Sequence, residues 1–192
     1  GKATPVFQAK QVKIKSSNLD KEIEKKLSLA GLPMKSMQEF PDADKTPHAL
    51  ATQMILEQEG KEVDVNLRNV AVILGSHHGK PPSSDILNRR GIGVYAMNFY
   101  LGQDSLHTWI DVQKELIGYA LNLAGYSVVR EIPRPNIVTQ VLLSGLVIMT
   151  DWIASNESYF PYVSVTDELI LGNLQTRIQT GWENLHIPYS WN

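Results

Sequence analysis

His77 and His78 stand at the end of an apolar run, Val70-Ala71-Val72-Ile73-Leu74-Gly75-Ser76, and Gly79-Lys80-Pro81-Pro82 follows them at once. Neutral imidazole is the commonest metal ligand. In mid-helix, adjacent side chains project about 100° apart, so two of them rarely aim at one point. At a helix terminus next to glycine and proline they can converge. One dipeptide is a weak motif, and a surface His-His in a helix-to-loop turn is the plainer reading of it alone. His48, in the first turn of an earlier helix, is the candidate third nitrogen. Three imidazoles suit a divalent transition ion, whereas Mg²⁺ and Ca²⁺ prefer oxygen. Asp151 lies late in a long apolar stretch and shares a helical stripe with Ser144 and Ser155. A carboxylate buried there needs a cation, a metal or several donors, unless it emerges at the surface. His107 and His186 fall on amphipathic or terminal segments and are read as non-ligands.

The elements that must position these residues read as helices between Pro- or Gly-marked loops. Val6 to Ile14 is a short helical segment, and Asn18 can cap a helix over Leu19 to Leu29. Thr46 reads as an N-cap with Pro47 as first helical residue, the helix stopping at Gly60. Asn66 caps the next helix, which ends at His77-His78. Gly91 and Gly93 weaken the stretch from Ser84 to Leu101. Ser105 to Ala124 reads as amphipathic, with Leu106, Ile110, Leu116, Ile117, Ala120, Leu121 and Leu123 as its apolar positions. Asn136 to about Asn156 reads as a buried core helix, and Thr166 to Glu183 as a last amphipathic one. The chain shows no series of alternating strands and no internal repeat, so the fold class is all-α in one domain.

Composition narrows the function. The 192 residues contain no cysteine, which excludes disulfides, thiolate metal sites and a cysteine nucleophile. That usage suits a reducing compartment, and a cytoplasmic location is expected. A net charge of −2 excludes a large basic field holding nucleic acid by itself. The first residues carry no signal-peptide pattern. The run from Ile137 to Thr150 is shorter than the roughly 20 residues of a spanning helix, so no membrane partner is expected.

Four blocks taken together carry a family resemblance. Gly1-Lys2-Ala3-Thr4-Pro5-Val6-Phe7-Gln8 resembles the continuation of a His-Asp-x-Gly-Lys-x-x-x-x-Phe-Gln motif. Pro47-His48-Ala49-Leu50-Ala51, His77-His78-Gly79 and Gly145-Leu146-Val147-Ile148-Met149-Thr150-Asp151-Trp152-Ile153-Ala154-Ser155-Asn156 follow in matching order. The chain thereby resembles, from residue 1 to about residue 160, the HD-type nuclease domain of the CRISPR-associated helicase-nuclease of type I interference systems. The resemblance implies an HD-domain helical bundle with two adjacent metal ions that cleaves single-stranded DNA. On that pattern His48, His77 and His78 hold one metal and Asp151 helps hold the other. Lys2 stands beside the metals, gripping the scissile phosphate or polarising water, and Ser155 positions a ligand or a phosphate oxygen. Mn, Fe, Co or Ni fit such a site better than Mg. The implied partners are a CRISPR RNA-guided targeting complex and a helicase domain, in cis or in trans.

The family's first histidine and its His-Asp pair fall upstream of Gly1, so residues 1–192 are expected to be an HD nuclease domain lacking its N-terminal part. Such a chain is expected to hold at most one transition metal firmly, on its histidines, and to cleave single-stranded DNA very slowly or not at all. Trp182 to Asn192 reads as an exit toward a helicase. No Gly-x-x-x-x-Gly-Lys-Ser/Thr phosphate loop occurs in these residues, so no helicase domain is expected within them. Two other readings stay open. One is an HD-type phosphohydrolase acting on nucleotides, since the same scaffold hosts both activities. The other is a non-catalytic, partner-binding remnant.

Overall fold

Proline, glycine and side-chain caps divide the chain into helices. The computed structural model describes residues 1–12, 18–40, 42–102, 105–161 and 172–185. Among them run α1 (Pro5–Val12), α2 (Asn18–Leu29), α3 (His48–Glu62), α4 (Arg68–Gly75), α5 (Ser84–Arg90), α6 (Ala96–Tyr100), α7 (Leu106–Leu123), α8 (Ile137–Ala154) and α9 (Gly172–Asn184), with short 3-10 turns between. The described residues contain no strand, and the all-α class holds.

Some local signals act as expected. Asn136 accepts the Thr139 N–H at 3.0 Å and starts α8. The glycine-weakened stretch splits into α5 and α6 around Gly91–Tyr95. Others are overruled. Asn66 does not cap α4: Leu67 holds the cap position without a side-chain cap, and Asn66 instead accepts the Arg68 N–H at 3.0 Å in a turn just ahead of the helix. Pro47, not Thr46, flanks α3, and His48 opens it. The Thr46 hydroxyl is buried and accepts the Asn98 amide at 2.8 Å, so a tertiary hydrogen bond takes the group a cap would have used. α3 also runs through Gly60 to Glu62. A β-carbon at Gly60 would collide with the Val65 carbonyl, so the missing side chain lets the next loop lie against the helix. Of the expected last helix, Thr166 to Glu183, residues 166–171 lie outside the described residues.

The core gathers Val6 and Ala9 of α1, Ala51 and Ile55 of α3, Phe99 and Tyr100 of α6 and Trp109 of α7. Trp109 sets the register of α7: it is 1% exposed, and its indole N–H donates to the Pro33 carbonyl at 3.2 Å. That rotation turns expected core positions outward, leaving Leu116 52% and Leu123 70% exposed.

The expectation of a buried core helix at Asn136–Asn156 is overturned. No residue of α8 is buried, and Leu142 is 69% and Trp152 71% exposed. One side of α8 packs along α4. The helix is apolar nearly all round, so a single packed neighbour leaves most of it uncovered. With 18 residues of mean hydropathy 1.7, α8 is long and apolar enough to cross a membrane by length and composition alone. Its contact with α4 makes it an element of the bundle.

α3 and α4 pack closely where glycine meets glutamine. A β-carbon at Gly75 would lie 2.6 Å from Gln53 Oε1 and 3.0 Å from Gln53 Cβ. Gly75→Ala gains about 0.8–1 kcal/mol in helix propensity but overpacks the contact, at about 1–3 kcal/mol. Its thermal unfolding midpoint is expected below that of the parent chain.

Candidate metal centre

α4 ends at Gly75, earlier than the sequence suggests, and the backbone turns through Ser76-His77-His78. Ser76 is buried and its hydroxyl donates to the Ile73 carbonyl at 2.6 Å. The Gly79 N–H closes the turn on Ser76 O at 2.6 Å, and Gly79 takes φ +112°, a conformation that favours glycine. Released from helical spacing, both imidazoles reach His48 at the start of α3. His77 Nε2 lies 3.2 Å from His48 Nδ1, and His78 Nε2 lies 2.7 Å from His48 Nε2.

Each histidine offers one ligand nitrogen, and the three nitrogens lie within 4.8 Å of one another. Among the described residues this is the group of three or more His, Asp or Glu side chains that closes so tightly. His77 Nδ1 donates to the Leu74 carbonyl at 2.7 Å, which leaves the Nε2 lone pair free to bind. Burial, and then the charges of His77, His78 and Lys2, lower the His48 pKa from 6.5 to about 4. His48 is therefore a neutral imidazole at pH 7. Metal–nitrogen bonds are about 2 Å, so ligands of one ion lie at most about 4 Å apart. Small side-chain rotations bring this donor set to that geometry, and its chemistry fits a nitrogen-preferring transition ion.

The N-terminal block packs around this cluster. Phe7 sets its ring edge-on against His48, with centroids 5.2 Å apart. Gln8 Nε2 donates to the Lys2 carbonyl at 2.9 Å, and Gln113 Nε2 of α7 donates to the Ala3 carbonyl at 2.9 Å. These contacts give physical content to the Lys-x-x-x-x-Phe-Gln spacing: the aromatic ring supports a histidine and the amide holds the lysine's backbone. Lys2 itself is exposed and close enough for its charge to act on His48. Gln113 was not legible as a site-supporting residue, because a glutamine on an amphipathic helix carries no sequence signal of its own.

Asp151 is half-buried on α8, on the less exposed stripe that also carries Gln140, Ser144 and Val147. Asn69 Nδ2, in the first turn of α4, donates to the Pro135 carbonyl just before α8 at 3.1 Å, so the two helices start side by side. Asp151 is not a member of the 4.8 Å histidine group. Among the described residues its carboxylate has no ion-pair or hydrogen-bond partner. Ser155 is exposed and follows α8, its N–H donating to the Asp151 carbonyl at 2.9 Å. His107 is exposed on α7 and outside the cluster, and His186 lies outside the described residues.

Residues 1–160 match the family described as "Cas3, HD domain". The chain is 37% identical over 196 aligned residues to the CRISPR-associated nuclease/helicase Cas3 of Streptococcus thermophilus, covering 100% of this chain and 20% of that protein. It is 28% identical over 169 residues to the CRISPR-associated endonuclease/helicase Cas3 of Thermus thermophilus, covering 84% of this chain and 16% of that protein. The chain thus spans a fifth or less of the length of these curated relatives. No solved structure matches it.

Proposed function

The chain belongs to the Cas3 HD-domain family, and on that premise we propose that it is a metal-dependent nuclease domain that hydrolyses single-stranded DNA in CRISPR antiviral defence. The observation that carries this reading is the convergence of His48, from the start of α3, and His77 and His78, from the turn after α4, onto one point. In this reading those histidines hold a divalent transition ion, with Mn, Fe, Co or Ni favoured over Mg by the all-nitrogen donor set. Asp151 is the carboxylate offered to a second ion. Metal held by these residues would supply a more acidic water and charge stabilisation for phosphodiester hydrolysis.

The chain's own residues do the positioning. The Leu74 carbonyl orients the His77 ring, and Phe7 orients the His48 ring. Lys2, held by Gln8, neutralises a non-bridging phosphate oxygen, and Ser155 orients a ligand or phosphate oxygen beside Asp151. No side chain becomes a covalent nucleophile. The relatives are named as nuclease/helicases, so a helicase, in the same polypeptide or apart from it, and an RNA-guided complex would deliver the strand, in the cytoplasm.

Asp151→Asn tests the carboxylate's part. In a chain that also carries the family's His-Asp pair, cleavage of a single-stranded oligonucleotide with Mn²⁺ is expected to fall at least about 100-fold, the upper end seen for lost support of a metal site, while one ion still binds the histidines. Release of phosphate from free nucleotides, with oligonucleotides left intact, would instead assign the site to a nucleotide phosphohydrolase.

A further inference from the structure

The charge of this chain is unevenly placed. Between Asn66 and Gly91 stand Arg68, Lys80, Arg89 and Arg90 against the single acid Asp85, in a chain that has 18 basic and 20 acidic residues overall. The segment that contains His77 and His78 is therefore locally basic within an acidic protein. Its path keeps these cations near the histidines. Arg68 Nη2 donates to Ser84 Oγ at 3.1 Å, so the chain leaving His78 runs back along α4 to that helix's first turn. Lys80 is exposed on this return, two residues past His78.

α5 then carries the chain back again. A β-carbon at Gly91 would lie 2.8 Å from Met54 Cε. Met54 sits less than two turns from His48 in α3, so Arg90 is returned toward the level of the cluster. Among the described residues neither Lys80 nor Arg90 has an ion pair, whereas Arg89 is neutralised by Asp85 at 2.9 Å. Ser83 caps α5 by accepting the Ile86 N–H at 3.3 Å, and Pro81-Pro82 stiffen the approach to it.

We infer that the loop Gly79–Ser83 and α5 form a phosphate-gripping wall for the strand entering the histidine cluster. Lys80 and Arg90 each hold one backbone phosphate. This rests on the nuclease reading of the cluster. The contacts are to phosphate alone, so the grip is independent of base sequence and sensitive to salt.

The test is the salt dependence of binding of a fluorescein-labelled oligothymidylate to the full chain, followed by anisotropy without metal. Each lost phosphate contact on a single strand lowers the slope of log affinity against log salt by about 0.7. Lys80→Gln/Arg90→Gln is expected to flatten the slope by about 1.4 and to weaken low-salt binding at least tenfold. Arg89→Gln, at the paired arginine, is expected to keep most of the parent slope. Thermal midpoints close to the parent's establish that the variants fold. A double variant with the parent's slope, or a parent chain that does not bind the probe, overturns the wall. If the slopes change as expected but neither Mn²⁺ nor Ni²⁺ binds the His48, His77 and His78 cluster, the wall stands and the nuclease reading falls.

Discussion

His48→Ala should deprive the chain of firm transition-metal binding, weakening affinity by well over about 100-fold, more than loss of an outer-shell partner costs. Both ring nitrogens of His48 face the other two imidazoles, at 3.2 and 2.7 Å, and it comes from a different helix. Removing it leaves two adjacent histidines on one turn, with half the site's wall gone. Titration calorimetry with Mn²⁺ or Ni²⁺ measures the loss, and oligonucleotide cleavage should disappear with it. The substitution should leave the fold in place, because His48 is half-buried and starts α3 rather than filling the core. An unchanged affinity and stoichiometry in His48→Ala would mean that the three histidines do not share an ion.

Trp109→Ala should be the most damaging single change to stability, at about 3–5 kcal/mol. The side chain is 1% exposed and packs with the cluster that joins α1, α3, α6 and α7. Its removal leaves a cavity and takes the indole donor from the Pro33 carbonyl. In a chain of this size each kcal/mol moves the unfolding midpoint by roughly 2–4 °C, so a drop on the order of 10 °C is expected by scanning calorimetry. Trp152→Ala is the contrast: that ring is 71% exposed on α8, and a surface substitution typically changes stability by no more than about 0.5 kcal/mol. Equal losses at the two positions would mean that α8 is covered and that the register of α7 is wrong.

Neighbours along the chain determined much of this protein. Asn136 starts α8 because its side-chain oxygen meets an amide only three residues away. Gly91 and Gly93 together weaken the helical stretch from Ser84 to Leu101 enough for it to break there. That His77 and His78 could converge was legible because the double histidine sits at a helix end, where chain geometry alone allows it. The order of four motif blocks extended that reading to the family, which no single block could have done.

What lay out of reach depended on which surfaces meet. Thr46 has the chemistry of a cap, but Asn98, 52 residues away, takes its hydroxyl. α7 offers several apolar stripes, and the one that faces inward is chosen by where Trp109 fits. The apolarity of α8 says that it should be covered, yet burial needs a second layer, and among the described residues α4 is the element that packs extensively against it. Asp151 follows the same rule: its place on the α8 stripe came from helical spacing, while its distance from the histidines was decided by how α8 lies on α4. Helical periodicity and capping act within one turn and are written in adjacent residues. Burial and the closure of the His48, His77 and His78 site require segments far apart in the chain to dock, so only the tertiary structure decides them.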